Sequence, residues 1–308
     1  MSLRELLALG TASQVPTRHR NHNGYFLRWD DEGFLFDPGE GTQRQMAYGE
    51  LAASSITRIF VTHFHGDHCL GLAGIVQRLS LDRVPHPVTV YYPASGEVFF
   101  QRLRHASIYH AAVDLRPRAL DDARDALVCI DETETLRFWA HPLRHSVPTL
   151  GYRVEEKATR KMLPERLAAH GIAGPRIGEL QRAGSLAAGD TVVTLDDVSV
   201  ARPGSAFAFV MDTRACPGAV ALARDADLLL MEATYTAEDQ HLADAHDHAS
   251  SADAARTALE AGAHRLAMAH FSQRYLSLEQ HLAEARALFA ETVALRDLDR
   301  VTIPRRRA

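Results

Sequence analysis

Long apolar runs are missing from this 308-residue chain, and so are paired cysteines and any excess of basic charge. No stretch approaches the roughly 18 apolar residues that a helical membrane span needs. The opening MSLRELLALG carries Arg4 and Glu5 and lacks the apolar core and cleavage site of a secretory leader. The three cysteines, Cys69, Cys129 and Cys216, are odd in number and far apart. Neither a disulfide framework nor a cysteine zinc knuckle fits them, so the expected compartment is the reducing cytoplasm. A net charge of −5 excludes a globally basic nucleic-acid coat but leaves room for a local basic patch.

Apolar residues make up 46% of the chain, enough to bury one large core. Strand-like runs at Leu3–Leu9, Tyr25–Trp29 and Phe34–Asp37 open it. Strand-like and helix-like segments then alternate. Arg58–Thr62, Val88–Tyr92, Ala126–Ile130, Thr135–Ala140, Gly151–Val154, Ala206–Met211, Asp227–Ala233 and Arg265–Ala269 read as strands. Helices are expected near Leu70–Leu79, Gly96–Tyr109, Pro217–Arg224, Ser251–Ala261 and Leu278–Phe289, with a last strand over Val293–Ile303. This alternation predicts an α/β fold with sheets inside and helices outside, formed by residues 1–308 as one domain. Residues 157–185 break the rhythm with turn residues and few large apolar side chains. Six basic residues against two acidic ones give them a charge of +4. A solvated helical insertion would look like this, and so would an arm that neutralises phosphates.

Histidine is the anomaly, with 17 residues. His63, His65, Asp67 and His68 form H-x-H-x-D-H directly after an apolar run. Alternate residues at a strand end share a face, and Gly66 can turn Asp67 and His68 into the same cavity. Imidazole nitrogen and carboxylate oxygen suit zinc. Four donors so close together serve two ions better than one, and two ions need distant partners. His145, Asp212 and His270 each lie at or shortly after the end of a strand-like run, where loops begin. A lone histidine is usually a hydrogen-bonded core or surface residue, but burying the whole cluster without partners would be costly.

These residues resemble the metallo-β-lactamase superfamily and, within it, the ribonuclease Z family of tRNA 3′-processing endonucleases. The likeness runs along nearly the whole chain. Pro16, Arg18, Arg20 and Asn21 resemble the family's P-x-K-x-R-N, with Arg for Lys. FLFDPGEGTQRQ resembles F-D-x-G-E-G-T-Q. MDTR carries Met211 where the family has Gly, and MEATY carries Met231 where it has His. His248-Ala-Ser resembles H-S-T, and HFSQRY resembles H-x-S-x-R-Y. The bare histidine motif is specific only to the superfamily; the other motifs and the arm narrow it.

The resemblance implies a four-layer αβ/βα metallo-β-lactamase sandwich with a protruding basic arm. It implies two Zn2+ per subunit, with Mn2+ or Fe2+ also accommodated by such donors. His63, His65 and His145 would hold one ion and Asp67, His68 and His270 the other, with Asp212 bridging. A pair of ions activates water and polarises a phosphodiester oxygen. Asp67 would orient or deprotonate that water. The departing ribose 3′-oxygen needs a proton, assigned to His248 with Glu232 orienting its ring. The products would be a tRNA 3′-hydroxyl and a trailer 5′-phosphate. Arg18, Arg20, Asn21, Ser272 and Arg274 would contact RNA near the metals, and Lys157, Arg160, Lys161 and Arg176 would do so from the arm. For any one of these arginines alone, a surface charge is the ordinary explanation. Asp37, Glu40 and Gln43 would support the site from behind. Cys69 would be a packing residue, and the tail IPRRRA a frayed end. The implied assembly is a homodimer whose arm holds precursor tRNA for the other subunit, recognised by shape and backbone. Two other functions compete: hydrolysis of a small ester such as a cyclic nucleotide, sulfate ester or lactone, and a non-catalytic RNA-binding scaffold.

Overall fold

The computed structural model describes residues 3–189 and 191–306. Two seven-stranded sheets face one another. The first contains β1 (Arg4–Gly10), β2 (Gly24–Trp29), β3 (Glu32–Phe36), β4 (Arg58–Phe60), β5 (Val88–Pro93) and β6 (Leu115–Leu120). The second is built mainly from β7 (Val128–Glu132), β8 (Leu136–Pro142) and β9 (Leu150–Glu156). A separate unit follows, with β10 (Thr159–Met162), β11 (Ser185–Ala188), β12 (Thr191–Thr194) and β13 (Ser199–Arg202). The second sheet then resumes with β14 (Ala206–Val210), β15 (Leu228–Glu232), β16 (Leu266–Ala269) and β17 (Thr292–Ala294), and β18 (Arg300–Thr302) returns to pair with β1.

The central strands explain themselves by composition. AFAFV, LLLME and LAMA are buried at every position, as strands covered on both faces must be. Between the sheets, Phe34, Phe36, Phe60, Phe138, Tyr152, Phe207 and Phe209 fill one aromatic-rich core. The helices Thr42–Tyr48, Leu72–Leu81 and Glu97–Arg104 cover the first sheet, over a second core containing Ile59, Leu72, Ile75 and Phe100. Pro217–Ala223, Ser251–Ala261 and Glu279–Leu288 cover the other, over small residues such as Ala219, Ala254, Ala255 and Ala258. Two sheets between two helical layers make the αβ/βα metallo-β-lactamase sandwich. Among the described residues no helix is long and apolar enough to cross a membrane.

The structure departs from the sequence-based expectation in several places. The helix expected over Gly96–Tyr109 ends at Arg104. The single last strand is two short ones in different sheets, because residues 295–299 cross from β17 to β18 beside β1. Strand β6 and the helix Thr42–Tyr48 were not expected; one is largely exposed and the other short and polar. Through residue 306 the tail is docked rather than frayed: Ile303 is buried, Arg305 pairs with Asp30, and Arg306 pairs with Asp227 at 2.9 Å; its last two residues lie outside the described ones.

The inserted unit is longer than residues 157–185. It closes only when β13 pairs antiparallel with β10, so it runs through Arg202. The added residues bring Asp190, Asp196, Asp197 and Arg202, which lowers the charge from +4 to +2. It has a small core of its own around Leu167, Ile172, Leu180, Val193 and Val198. Its two ends are joined where the Glu156 N–H donates to Ser205 O at 2.8 Å. Arg4 grips Glu156 there, at 2.7 and 2.9 Å.

Candidate metal centre

The seven donors expected from the sequence converge at one end of the sandwich. His63 follows β4, Asp212 follows β14 and His270 follows β16, all at carboxyl ends of parallel strands. His145 comes from the loop between β8 and β9, and Asp67 and His68 from the turn of helix Gly66–Cys69. Three residues of this site, each just past a strand end, adopt left-handed backbone: Asp37 (φ 43°), Asp212 (φ 45°) and His270 (φ 59°). Such conformations cost energy for non-glycine residues and persist where the surroundings fix them. The loop after β3 can lie against the histidine helix only because Gly39 and Gly71 lack a Cβ. One at Gly39 would meet Asp67 O at 2.1 Å, and one at Gly71 would meet Gly39 O at 2.0 Å.

Donor atoms of His63, His65, His145 and Asp212 lie within 4.8 Å of one another, and so do those of Asp67, His68 and His270. Asp212 stands between the two sets. Its Oδ2 is 3.6 Å from His63 Nε2 and 3.7 Å from His145 Nε2, and its Oδ1 is 3.2 Å from His68 Nε2 and 3.1 Å from His270 Nε2. His63 Nε2 is 2.9 Å from His65 Nδ1, which is 3.3 Å from His145 Nε2. His68 Nε2 is 3.2 Å from His270 Nε2.

Four imidazoles are held from behind at Nδ1. Thr62 Oγ1 meets His63 at 3.0 Å, Asp37 Oδ2 meets His68 at 2.8 Å, Asp247 O meets His145 at 3.0 Å, and Thr234 Oγ1 meets His270 at 2.8 Å. That leaves four Nε2 atoms and His65 Nδ1 facing inward, the arrangement by which outer partners fix the tautomer of metal-bound imidazoles. Asn23 also reaches His68 Nδ1, at 3.0 Å. Asp37 is tied further by Thr62, whose N–H donates at 2.7 Å and hydroxyl at 2.8 Å.

This donor set fits divalent ions. Inward ring nitrogens facing each other at 2.9–3.3 Å repel unless a cation or shared proton lies between them. Tetrahedral bonds of about 2.0 Å place ligand atoms roughly 3.3 Å apart. Asp212 Oδ1 is buried without a hydrogen-bond partner, although such atoms are normally satisfied. Burial, followed by neighbouring imidazoles, lowers the pKa of His63 and His65 and keeps them in the neutral form that ligates. Burial opposes a proton on His68, yet Asp212, Asp67 and Asp37 outweigh it and push its pKa well up. The same negative field attracts a metal cation.

Beside this cluster His248 Nδ1 meets Glu232 at 3.0 and 3.1 Å. Glu232 is fully buried and also accepts hydrogen bonds from Thr213 N, Thr234 Oγ1 and Ala249 N. Burial resists charge on His248, but the Glu232 carboxylate prevails and pushes its pKa up to about 9. A cavity of about 650 Å³ opens over the site, lined by Asp67, His145, Asp212, His248, His270 and Ser272 among others.

The remaining sequence-predicted residues divide. Ser272 lines the cavity and Arg18 is exposed in the early loop. Arg20 instead clasps the carbonyls of Ser272 (3.4 Å) and Tyr275 (2.8 Å), bracing the His270 loop. Asn21 bonds Glu40 O at 2.9 Å, and Arg274 lies over Tyr235. In the inserted unit Lys157 pairs with Glu132, Arg160 with Asp196, and Arg176 donates to Ala187 O, while Lys161 is exposed. The Glu40 side chain and Gln43 face outward, so of the three expected supports only Asp37 touches a cluster histidine. Sequence reasoning missed Asn23, Thr234 and the Asp247 carbonyl. Thr234 stands two residues after Glu232 in the MEATY motif, and that neighbourhood was the available signal.

Residues 17–159 match the model of the metallo-β-lactamase superfamily. The chain is 56% identical to a ribonuclease Z of Nocardia farcinica, with 100% of both chains covered. It is 55% identical to that of Streptomyces coelicolor, again over 100% of both. It is 45% identical to that of Chlamydia trachomatis serovar L2, over 99% of both. Among solved structures, the short form of human tRNase Z (ELAC1) has a TM-score of 0.70 at 25% identity, covering 97% of this chain and 99% of that one. With the sandwich, the donor cluster and full-length identity of this order, the chain belongs to the ribonuclease Z family of the metallo-β-lactamase superfamily.

Proposed function

We propose that this chain is a metal-dependent endoribonuclease that removes the 3′ trailer from precursor tRNA, leaving a 3′-hydroxyl on tRNA and a 5′-phosphate on the trailer. The observation that carries this function is the seven-donor cluster centred on Asp212, with His248 on the same cavity wall and Glu232 buried behind it. His63, His65 and His145 would hold one Zn2+, Asp67, His68 and His270 the other, and Asp212 both. Mn2+ or Fe2+ suit the same donors. When bound, such ions polarise the scissile phosphodiester and activate water near neutral pH. Asp67 Oδ2, already anchored by the Gln14 N–H at 2.7 Å, orients the attacking water. His248, kept protonated by Glu232, delivers a proton to the departing 3′-oxygen.

Ser272 lines the cavity, Arg274 lies over the lining residue Tyr235, and Arg18 is exposed in the early loop; these would meet phosphates. The inserted unit acts as an RNA-holding arm through Lys161, Arg176 and their neighbours. Its placement supports action between subunits. Leu150, at one end of β9, donates its N–H to Thr62 O beside His63, whereas the arm springs from Glu156 at the other end. Six residue steps of strand span about 20 Å, so the arm root lies far from its own metal centre. A homodimer would let it hold tRNA for the partner's. All three cysteines are free, which fits a cytoplasmic enzyme.

Incubating the protein with unprocessed tRNA transcripts and sequencing the fragment ends tests this function. The expected result is one cut at the mature 3′ end with the stated termini. An intact precursor, together with rapid hydrolysis of a cyclic nucleotide or lactone, would contradict it.

A further inference from the structure

The proposed chemistry leaves one part of the cavity wall without a task. His246 is exposed and lines the cavity two residues before His248. Its imidazole has no hydrogen-bond or ion-pair partner among the described residues, so it contributes little to the fold. Its ring nevertheless lies nearly parallel to that of Tyr235, with 6.4 Å between centroids and 19° between planes.

Tyr235 is a rigid backing for it. Tyr235 is 9% exposed, and its ring sits under the Arg274 guanidinium, which lies 5.5 Å from the ring centroid. The Tyr235 backbone is held on both sides, its N–H donating to Ala249 O at 3.3 Å and its carbonyl accepting from Ser251 N at 2.9 Å. Between the two histidines, Asp247 takes a left-handed turn (φ 55°) while its carbonyl holds His145. That turn lets both flanking imidazoles line one cavity. The Tyr235 and His248 rings are 6.2 Å apart, so the aromatic wall adjoins the proposed proton donor.

We infer that His246, backed by Tyr235, is a stacking platform for the base of the nucleotide whose 3′-oxygen departs, the last one kept on the tRNA. That oxygen must lie at His248, and the attached nucleoside then extends along the adjoining wall. A flat, exposed ring on a fixed aromatic backing suits a nucleobase, since every base offers a π face. Stacking tolerates any base, as an enzyme acting on many tRNAs requires, and single-stranded RNA ends are commonly held this way. This platform rests on the tRNA-processing function proposed above.

The test pairs two precursor transcripts, one intact and one abasic at the last retained nucleotide, with wild-type protein, His246→Ala and His246→Phe. Metal content and melting temperature are measured for each protein. On the intact precursor His246→Ala lowers kcat/KM about tenfold, and His246→Phe stays within about twofold of wild type. On the abasic precursor wild type is already about tenfold slower, and His246→Ala loses nothing more. Equal fold losses from His246→Ala on both precursors would overturn the platform, as would failure of His246→Phe to restore the rate in a metal-loaded, stable protein. Wild-type protein that cuts the intact precursor with such additive losses refutes the platform alone; one that cuts neither refutes the tRNA function itself.

Discussion

At the metal centre four of the five inward-facing imidazoles are pinned from behind, whereas in the arm Lys161 and Arg182 project into solvent. The centre is assembled from both sheets and backed by fully formed cores. The arm stands on one strand pair and packs around a handful of apolar side chains. This difference matches the two tasks proposed for them. Activating water requires donors placed to within a fraction of an ångström, which only a rigid frame supplies. Holding a polyanion requires charge at the right distance, and long exposed side chains supply that without fixed geometry.

Damage within the rigid region should cost the most. His248→Ala is expected to lower tRNA cleavage about 10²–10⁴-fold while metal content is unchanged. The pH dependence sharpens this. The folded-state pKa of His248 is raised to about 9, so the imidazolium is present below that value and is lost as pH rises through it. The wild-type rate should fall on that alkaline limb, and the limb should vanish in His248→Ala. A pH–rate profile of both proteins checks this.

Excising the arm should cost less and in a different way. Because Glu156 and Ser205 are already hydrogen-bonded, a two-residue turn can replace residues 157–204 and leave β9 and β14 paired. The shortened chain should lose about a hundredfold in kcat/KM on precursor tRNA, with a shallower salt dependence. Its loss on a small phosphodiester should be far smaller. Equal losses on both substrates would break the contrast between the regions.

The smallest expected effect concerns stability. His281 is buried beside Phe271 and Tyr275, and both ring nitrogens lack partners. Burial lowers its pKa to about 4. A depressed folded-state value means that its neutral form supports the fold above the unfolded value of 6.5, and that this support is lost as pH falls toward 4. His281→Phe should therefore melt several degrees higher than wild type at pH 5, while the difference shrinks at pH 7.5. Thermal melts at the two pH values decide it.

The sandwich and its donors were legible because both have local signatures. Apolar runs such as AFAFV and LLLME mark buried strands, and H-x-H-x-D-H is a contiguous motif. His145, Asp212 and His270 could be found because each lies at or near the end of such a run. What escaped depends on contacts between distant segments. Thr234 and Asn23 are ordinary polar residues until the fold sets them against His270 and His68. Arg20 looked like an RNA contact because its motif is basic, yet its guanidinium is spent on two carbonyls of the His270 loop. The second half of the arm was missed because its boundary was drawn from basic charge, which runs out after Arg182, and only the β10–β13 pairing shows where the insertion closes.

The central claim is that Asp212 joins two clusters into a site for two cations. Counting bound metal after reconstitution with zinc and removal of excess tests it most directly, with Asp212→Ala as the comparison. Two equivalents per wild-type chain are predicted. The variant should hold at most one, and its tRNA cleavage should fall by at least about a thousandfold. A wild-type chain that holds one equivalent or none, or an Asp212→Ala chain that still holds two, would contradict the account.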